Sequence, residues 1–552
     1  MIRLIKIVLT QIGKGSLMKY ILLGILSGLF SFLLINSVTR VVGLIMSGGY
    51  TKISKENIVI FASIILFFVW IRRSLSLLII NLSQNIFWRL RKEVLEQVLN
   101  ANFMQLTSRK AKIHSAMLGD VYVLTDAALN IIQFFTASIL AVACFIYLAT
   151  ISFQLFLITL VVSAVGVLIY HFGSIRNIKK FDRSRRLENK FQQNFNDILD
   201  GAKEIYMEPR KGRYIYEERI SAIADDAYKN NVSAFTGFLN NQISGQVCFY
   251  ILILSVLLYF SITLNIKPAD SVTFVFTLLY LQGSIETIMV LLPGLMRARV
   301  ASSHMMNLKD ELEEANFSNP VPKRYLLKND FSNIGVRGLE FHYSDAKDSF
   351  SVGPVDFDVS RGEVIFIYGG NGSGKTTFIY SVLGLCFPSA GEIFLNDVPV
   401  TADNYPEYRT LFSVVFSNFH LFDGLFGIEH FDLAKWEFYL RLFELEGKVQ
   451  LDGRSFTTTS LSTGQRKRLA LISALMEQKP IVVLDEWAAD QDPYFRRKFY
   501  TEIIPMLKKD DITVIAITHD DRYYHCADKL YKMDYGKLIQ EKIRVYEPSA
   551  SI

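Results

Sequence analysis

The sequence is poor in the residues that build disulfide frameworks and metal clusters. Its 552 residues include four cysteines, which lie far apart at Cys144, Cys248, Cys386 and Cys526. No two of them have the close spacing of a metal-ligand or disulfide motif, so we interpret all four as reduced structural thiols. Neither a disulfide-rich secreted domain nor a zinc module is predicted.

Charge is scarce as well, because charged residues make up 20% of the chain and hydrophobic residues 51%. That balance is heavy for a soluble protein, and the apolar residues crowd the first half of the sequence. The net charge of +6 comes without a concentrated basic face or a recognisable nucleic-acid-binding module. No nucleic-acid partner is therefore expected, and Lys and Arg beside a lipid bilayer explain the excess.

The first apolar run lacks a small-residue cleavage site, so we predict a retained membrane helix rather than a signal peptide. An amphipathic segment, residues 1–19, precedes it. Spanning a bilayer takes about 20 mostly apolar residues. Six apolar segments reach this length, and two long charged stretches, 82–126 and 173–242, divide them into three pairs. We predict the charged stretches as helical extensions into the cytosol. The apolar segments are 20–45, 58–80, 127–149, 152–172, 243–264 and 272–292.

The pattern changes after the sixth apolar segment. Residues 20–300 are predicted to form an all-α six-helix transmembrane domain, and residues 301–332, with Pro320 and Pro322, a linker. From residue 333 to 552, short β-rich runs alternate with helices. This alternation is typical of an α/β nucleotide-binding domain with a largely parallel sheet.

A glycine-rich loop carries the first chemistry. It fits G-x-x-x-x-G-K-[ST], follows an apolar strand and opens a helix, so its backbone N–H groups are predicted to bind the phosphates of ATP. Lys375 would neutralise the β- and γ-phosphates, and Thr376 would place its hydroxyl on Mg²⁺. The predicted phosphate-binding residues are Gly369, Gly370, Asn371, Gly372, Ser373, Gly374, Lys375, Thr376 and Thr377.

Two acids at the end of another apolar strand form the second motif. Asp485 is predicted to hold the Mg²⁺ shell, and Glu486 to polarise the attacking water as a general base. On its own, this pair would be indistinguishable from two surface acids after a buried strand. The phosphate-binding loop upstream favours the catalytic interpretation.

Between these motifs lies Leu461-Ser462-Thr463-Gly464-Gln465, which resembles the signature L-S-G-G-Q of ATP-binding cassette proteins, with Thr at one glycine position. On its own the stretch could be a helix N-cap. The resemblance implies that its last four residues contact the ATP bound by a partner subunit.

Further roles follow from the same resemblance. His519 corresponds to the switch histidine that contacts the γ-phosphate, and Asp490 and Asp492 lie at the D-loop. Tyr343 corresponds to the aromatic residue that stacks on adenine. Ser417 stands where most cassettes carry a Gln, and a serine is too short to reach the metal as that amide does, so either a water bridges the gap or Asn418 takes its place.

The runs 461–471, 485–493 and 519–523 together resemble the cyclic-peptide exporter family, which includes syringomycin-type and pyoverdine-type exporters and shares the Ser at the Gln position. The resemblance implies a type I exporter fold, also called type IV. It further implies a half-transporter that forms a homodimer in the bacterial inner (cytoplasmic) membrane with its cassettes in the cytosol. Contacts with the cassettes are expected near 118–124 and 207–213, and a need for an outer-membrane partner stays open.

Polar residues inside the apolar segments are candidates for contact with the cargo. Glu286, near the middle of the sixth segment, would meet a cationic peptide. Gln246, Gln282 and Arg72 are the other candidates. Arginines at such positions also snorkel to the membrane boundary, which is the competing interpretation of Arg72.

Three functions remain open from the sequence. The first is ATP-driven export of a cyclic or nonribosomal peptide, or of a siderophore or its precursor. The second keeps the transporter but gives it lipid or drug cargo, as a flippase or multidrug exporter. The third is an ATP-gated channel or signalling protein that does not pump, which the presence of both Glu486 and His519 opposes.

Overall fold

The structure is a computed structural model that describes residues 14–46, 55–264, 266–313, 322–342, 350–428 and 430–543. The chain divides into two compact units. The helical unit comprises Met1–Val98 and Arg109–Glu314, and the cassette unit comprises Leu99–Ser108 and Ala315–Ile552. Most of the predicted amphipathic segment, 1–13, lies outside the described residues.

The described chain is helical as far as Glu313, with π-helical turns at Ala116–Asp120, Tyr216–Ser221 and Val256–Phe260. The helices are α1 Lys14–Met46, α2 Lys55–Asn100, α3 Phe103–Ser115, α4 Val121–Ile151, α5 Phe153–Asp200, α6 Ala202–Met207, α7 Pro209–Ile215, α8 Ala222–Ser255, α9 Ser261–Thr263 and α10 Pro268–Glu313.

Six apolar helical stretches occur where the sequence predicts them. Four are long and apolar enough to cross a membrane: Ile58–Asn100, Phe103–Ile151, Pro209–Phe260 and Asp270–Leu312. Leu22–Val38 and Phe153–Ile169 are shorter. The predicted all-α membrane domain is confirmed, and the chain is a multi-pass membrane protein.

Two helices are long enough to form the predicted extensions. The helix α2 has 46 residues and α5 has 48, without a break between the apolar and the charged parts. At a rise of about 1.5 Å per residue, each is about 70 Å long, more than twice the roughly 30 Å of hydrocarbon in a bilayer. About half of each helix therefore extends into water.

A buried carboxylate joins three helices of this unit. Asp120, which is 1% exposed, accepts hydrogen bonds from Arg185 Nη2 of α5 at 2.7 Å and from His304 Nδ1 of α10 at 2.5 Å. A carboxylate removed from water needs such partners, because burying it unpaired costs on the order of several kcal/mol. Asp120 thus holds the start of α4 against α5 and α10.

The cassette unit contains two main sheets. A six-stranded sheet has the order β12-β11-β3-β10-β9-β6 and is parallel except for the β11–β12 pair. An antiparallel four-stranded sheet has the order β2-β1-β4-β5. The strands are β1 Asn333–His342, β2 Ser351–Ser360, β3 Val364–Gly369, β4 Ala390–Leu395, β5 Val398–Pro399, β6 Phe412–Val415, β7 Leu451–Asp452, β8 Ser455–Phe456, β9 Ile481–Asp485, β10 Thr513–Ile517, β11 Lys529–Asp534 and β12 Lys537–Glu541.

Both faces of the six-stranded sheet are covered. Successive residues of β3 alternate between two hydrophobic cores: Phe366 belongs to one, and Ile365 and Ile367 to the other. This explains why its strands are apolar runs rather than alternating patterns. The helices are α11 Lys375–Val382, α12 Tyr405–Arg409, α13 Leu433–Leu442, α14 Thr463–Met476, α15 Pro493–Lys498 and α16 Ile504–Lys509.

One part of the first extension groups with the cassette. Within the cassette unit, Phe103 packs edge-on against Tyr380 with ring centroids 5.5 Å apart, and the Cys386 thiol lies 3.5 Å from Met104 Sδ. The segment Leu99–Ser108, at the tip of the extension, thus packs on the cassette within this unit, and the cassette contacts expected near 118–124 and 207–213 stay predictions.

Candidate functional site

The predicted chemical residues converge on one edge of the six-stranded sheet. The strands β3, β10 and β9 are parallel neighbours, and Ile517 is in register with both Ile367 and Asp485. Because the carboxyl ends of parallel strands meet at the same edge, the glycine-rich loop, the two acids and His519 all follow these strands there. Binding at this edge is the general rule for α/β sheets.

The glycine-rich loop leads directly into α11, as predicted. Gly374 precedes the helix with φ 105°, and a Cβ there would lie 2.9 Å from Val352 Cγ2, so glycine is required. Lys375 is buried, and its Nζ donates to the carbonyls of Gly369 at 2.9 Å and Gly370 at 3.0 Å. Burial lowers the pKa of the Lys375 ammonium, whereas the charges of Glu486 and Asp485 oppose that shift.

A buried hydroxyl in this loop has no partner among the described residues. Ser373 is 8% exposed, and its Oγ makes no hydrogen bond there. An orphaned polar atom in a phosphate-binding loop fits an anionic ligand that would accept its proton.

The two acids differ sharply in environment. Asp485 is 1% exposed, and its burial raises the pKa of its carboxyl. A hydrogen bond donated by Ser417 Oγ at 3.1 Å opposes this rise in pKa. Glu486 has the left-handed φ of 50°, which turns its side chain away from the strand toward His519. Glu486 Oε1 lies 3.2 Å from His519 Nε2. One acid is thus enclosed and the other is half-buried beside a histidine.

Two residues that sequence reasoning missed support the histidine loop. Tyr500 OH donates to Asp520 Oδ2 at 2.8 Å and lies 2.6 Å from Thr518 Oγ1, and Arg496 Nη1 lies 3.3 Å from Asp520 Oδ1. These contacts fix the residues on both sides of His519. Nothing in the local sequence indicates them, because Tyr500 and Arg496 lie on a different element.

The signature residues form a helix N-terminus, which is the competing interpretation of that motif, but they remain accessible. Ser462 Oγ accepts from the N–H of Gln465 at 3.4 Å, and Gln465 Oε1 accepts from the N–H of Ser462 at 3.3 Å. The side chains of Ser462 and Thr463 are exposed. A Cβ on Gly464 would lie 2.9 Å from Asp490 O, so this position requires glycine. The two capping hydrogen bonds fix the conformation of the motif and leave Ser462 and Thr463 exposed to solvent.

The described structure brings two of the four membrane candidates into contact and places Arg72 elsewhere. Glu286 Oε1 accepts hydrogen bonds from Gln246 and Gln242, each at 2.8 Å, so α8 and α10 hold this carboxylate between two amides. Gln282 is buried, and its Oε1 has no partner among the described residues. Arg72 lines a cavity whose described lining does not include the other three candidates. Tyr343, the adenine candidate, lies outside the described residues.

Comparison with known proteins agrees with this geometry. Residues 352–489 match the family described as ABC transporter. The chain is 29% identical over 536 residues to the ATP-binding protein SyrD of Pseudomonas syringae pv. syringae, covering 94% of this chain and 93% of that protein. It is 31% identical over 220 residues, 38% of this chain, to the energy-coupling factor transporter ATP-binding protein EcfA1 of Staphylococcus aureus, covering 81% of it. The chain belongs to the ATP-binding cassette transporter family.

The fold of the whole chain has a solved counterpart. A bacterial Atm1-family ABC exporter with ATP bound superposes with a TM-score of 0.80 at 15% identity, covering 96% of this chain and 94% of that one. The predicted exporter fold is therefore confirmed. As an ATP-binding cassette exporter, the chain binds ATP and couples its hydrolysis to transport across a membrane.

Two basic residues just after the signature connect it to the catalytic strand in this cassette. Lys467 Nζ, buried, donates to the Glu486 carbonyl at 2.9 Å and pairs with Asp490 Oδ2 at 2.7 Å. Arg468 Nη2 pairs with Asp492 Oδ2 at 2.8 Å. The predicted D-loop acids are thus anchored to the signature helix α14 of their own chain. The signal in the sequence was this pair of adjacent basic residues in the helix after the signature, because basic residues that become buried require acidic partners.

Ser417 offers a first prediction. Its hydrogen bond favours the ionised form of Asp485, so Ser417→Ala should raise the pKa of that carboxyl further. We expect the acid limb of the pH–ATPase profile to move to higher pH and activity near pH 7 to fall about fivefold, as a loss of about 1 kcal/mol implies. Ser413→Ala is the matched control, because Ser413, on the strand β6 that leads to Ser417, donates instead to Glu477 at 3.0 Å. An acid limb that stays in place in Ser417→Ala would show that the contact has no role.

Proposed function

We propose that the protein is a homodimeric exporter that uses ATP hydrolysis to move a cyclic or nonribosomal peptide, or a siderophore or its precursor, across the bacterial inner membrane. The observation that carries the proposal is the union, in one chain, of six apolar helical stretches with a cassette whose Glu486 and His519 lie 3.2 Å apart. The alignment with SyrD supports the cargo class because it runs through the helical unit as well as the cassette.

We propose the following residue roles, which the geometry of the sheet edge supports. The backbone of the glycine-rich loop and the ammonium of Lys375 bind the ATP phosphates. Glu486 accepts a proton from the attacking water, and His519, which faces the same carboxylate, orients that water and the γ-phosphate. Tyr343 is proposed for adenine stacking on sequence grounds alone.

The residues at the sheet edge also fit a Mg²⁺ ion. Asp485 is a buried carboxylate with one hydrogen-bond donor, Ser417, and the hydroxyl of Thr376 follows Lys375 at the start of α11. Magnesium commonly takes few protein ligands and completes its shell with phosphates and water. When bound, it would neutralise charge on the transferred phosphate. Ser417 then acts on the metal site through Asp485, without the direct reach of a glutamine.

The exposed signature supports the dimer. Ser462, Thr463, Gly464 and Gln465 would contact the ATP held by the partner, so two chains would form two equivalent sites. Leu99–Ser108 would transmit closure of the cassettes, because it packs on the cassette in the same chain.

Cargo class is tested by the ATPase of the reconstituted protein. We expect cyclic peptides added to proteoliposomes to stimulate ATP hydrolysis several-fold, and phospholipids or hydrophobic drugs to have little effect. Stimulation by lipids or drugs with none by peptides would replace peptide cargo with the alternative of a flippase or multidrug exporter.

A further inference from the structure

A partly open cavity with polar and apolar lining lies among four helices of the helical unit. Residues of α1, α2, α4 and α10 line a volume of about 460 Å³. Arg72 is the charged residue of its described lining, and no acidic side chain is part of that lining. Counted from the cytosolic ends of the predicted apolar segments, Arg72 and Gln133 both lie on the order of 10 Å inside the membrane.

Within the described part of the chain, the Arg72 guanidinium has no hydrogen bond or ion pair. Its recorded contact is the Phe68 ring, whose centroid is 5.7 Å from Arg72 Cζ. Placing an ionised side chain at this depth costs on the order of several kcal/mol unless it meets a partner or water. Arginines inside membrane segments therefore usually face the interior of the helix bundle or a water-filled cavity. Arg72 is exposed in the single chain, and its side chain lines the cavity.

The hydroxyls around Arg72 are set up as acceptors. Ser31, Thr136, Ser284 and Thr287 all line the cavity. Each donates its proton to a backbone carbonyl within its own helix, at 2.7–3.1 Å. Their remaining lone pairs can accept hydrogen bonds but their protons are engaged. The cavity therefore presents one cationic fork and four hydroxyls free to accept, together with the amide of Gln133 and the hydroxyl of Tyr280.

We propose that this cavity binds a carboxylate of the cargo through Arg72, while its hydroxyls accept N–H groups of the same molecule. The inference rests on the proposed peptide export for the identity of the molecule that carries the carboxylate. It gives the cargo the opposite charge from the one expected from Glu286, whose Oε1 accepts hydrogen bonds from Gln242 and Gln246.

A peptide fits this lining better than an anionic lipid. A peptide acid carries a carboxylate for the Arg72 guanidinium and amide N–H groups for the four acceptor hydroxyls. Two parallel hydrogen bonds between the carboxylate and the guanidinium would also orient the peptide in the cavity. A phosphatidylglycerol headgroup has the anion but only its glycerol hydroxyls as donors, whereas a peptide brings an amide N–H at nearly every residue. The observations therefore favour a peptide acid, and the lipid becomes an outcome of the test.

The test compares two synthetic probes on the full-length protein in phosphatidylcholine nanodiscs. One is a cyclic octapeptide with a single Glu, and the other is its neutral twin with Gln at the same position. We expect the parent protein to bind the Glu peptide about tenfold more tightly, the smaller end of what a charge-assisted hydrogen bond contributes. Because the ratio is measured within each protein preparation, it does not depend on how much of the sample is folded.

Three variants place the preference in the cavity. Arg72→Gln should bring the ratio to about one, and Arg72→Lys should keep part of it. Gly283→Leu should weaken both peptides, since a side chain at Gly283 has no atom within 4 Å of its Cβ and would fill the cavity without a clash. Arg73→Gln is the matched control: the neighbouring arginine is absent from the described lining, and the ratio should not change.

Equal binding of the two peptides by the parent, or a preference that survives Arg72→Gln, overturns the proposal. Failure of both peptides together with Arg72-dependent binding of phosphatidylglycerol also overturns it and assigns the site to a lipid headgroup. Binding is measured without ATP. A preserved Glu preference without any transport would therefore defeat peptide export and leave the anion site intact.

Discussion

Glu486→Gln is expected to slow ATP hydrolysis by roughly 10²–10⁴-fold, the range over which general bases contribute. Glutamine has the same shape but cannot take a proton from water. The left-handed backbone at this position suits either residue equally, because the two side chains share the same stereochemistry near the backbone. ATP binding should therefore persist while phosphate release is lost. Both quantities can be measured on purified protein in nanodiscs, by phosphate release and by titration with a fluorescent ATP analogue.

The matched control is Glu437→Gln, which makes the same chemical change at an exposed position of α13. It should hydrolyse ATP like the parent. Hydrolysis by Glu486→Gln within about threefold of the parent would mean that another group, or His519 alone, activates the water. His519→Ala would then be the variant that loses the larger share of activity.

Lys375→Ala is expected to weaken ATP binding roughly tenfold to a hundredfold, because it removes a cationic donor to the phosphates. In this structure Lys375 Nζ donates to the carbonyls of Gly369 and Gly370. The ammonium is thus already held inside the loop before it meets phosphate, and little ordering is needed on binding. Lys375→Arg should also bind weakly, since a planar guanidinium does not fit the place of a compact ammonium.

Lys537→Ala, at an exposed position of β12, controls for loss of charge on the cassette. Its ATP affinity should equal that of the parent. Parent-like affinity in Lys375→Ala would contradict the assignment of the loop as the phosphate site. A thermal-unfolding measurement on each variant separates lost affinity from lost folding.

The sequence was sufficient wherever a motif is local. The start of α11 at Lys375 and the strand that ends at Asp485 both follow from neighbouring residues, and the structure places them as expected. The six apolar stretches are equally local, because hydrophobic length decides them.

Contacts between residues far apart in the sequence could not be predicted from local patterns. The contact of Ser417 with Asp485 requires that β6 and β9 be neighbours, which no local pattern specifies. The pairing of Glu286 with two amides of α8 depends on the rotation of two packed helices. Because side-chain direction on a helix repeats every 3.6 residues, a small change in rotation would have turned Glu286 elsewhere.

The packing of Leu99–Ser108 on the cassette was not predicted, for a similar reason. Leu99–Ser108 lies at the tip of the extension, where α2 ends at Asn100 and α3 begins at Phe103. The sequence shows a long charged stretch there but no strong turn signal, since neither glycine nor proline marks the tip.

The central claim, that ATP hydrolysis in this chain drives export of a peptide, is tested most directly in inside-out membrane vesicles. The measurement is uptake of the labelled Glu-containing cyclic octapeptide with and without ATP. We predict ATP-dependent accumulation by the parent and by Glu437→Gln, and accumulation at the ATP-free level by Glu486→Gln. Equal accumulation by Glu486→Gln and the parent would contradict the claim.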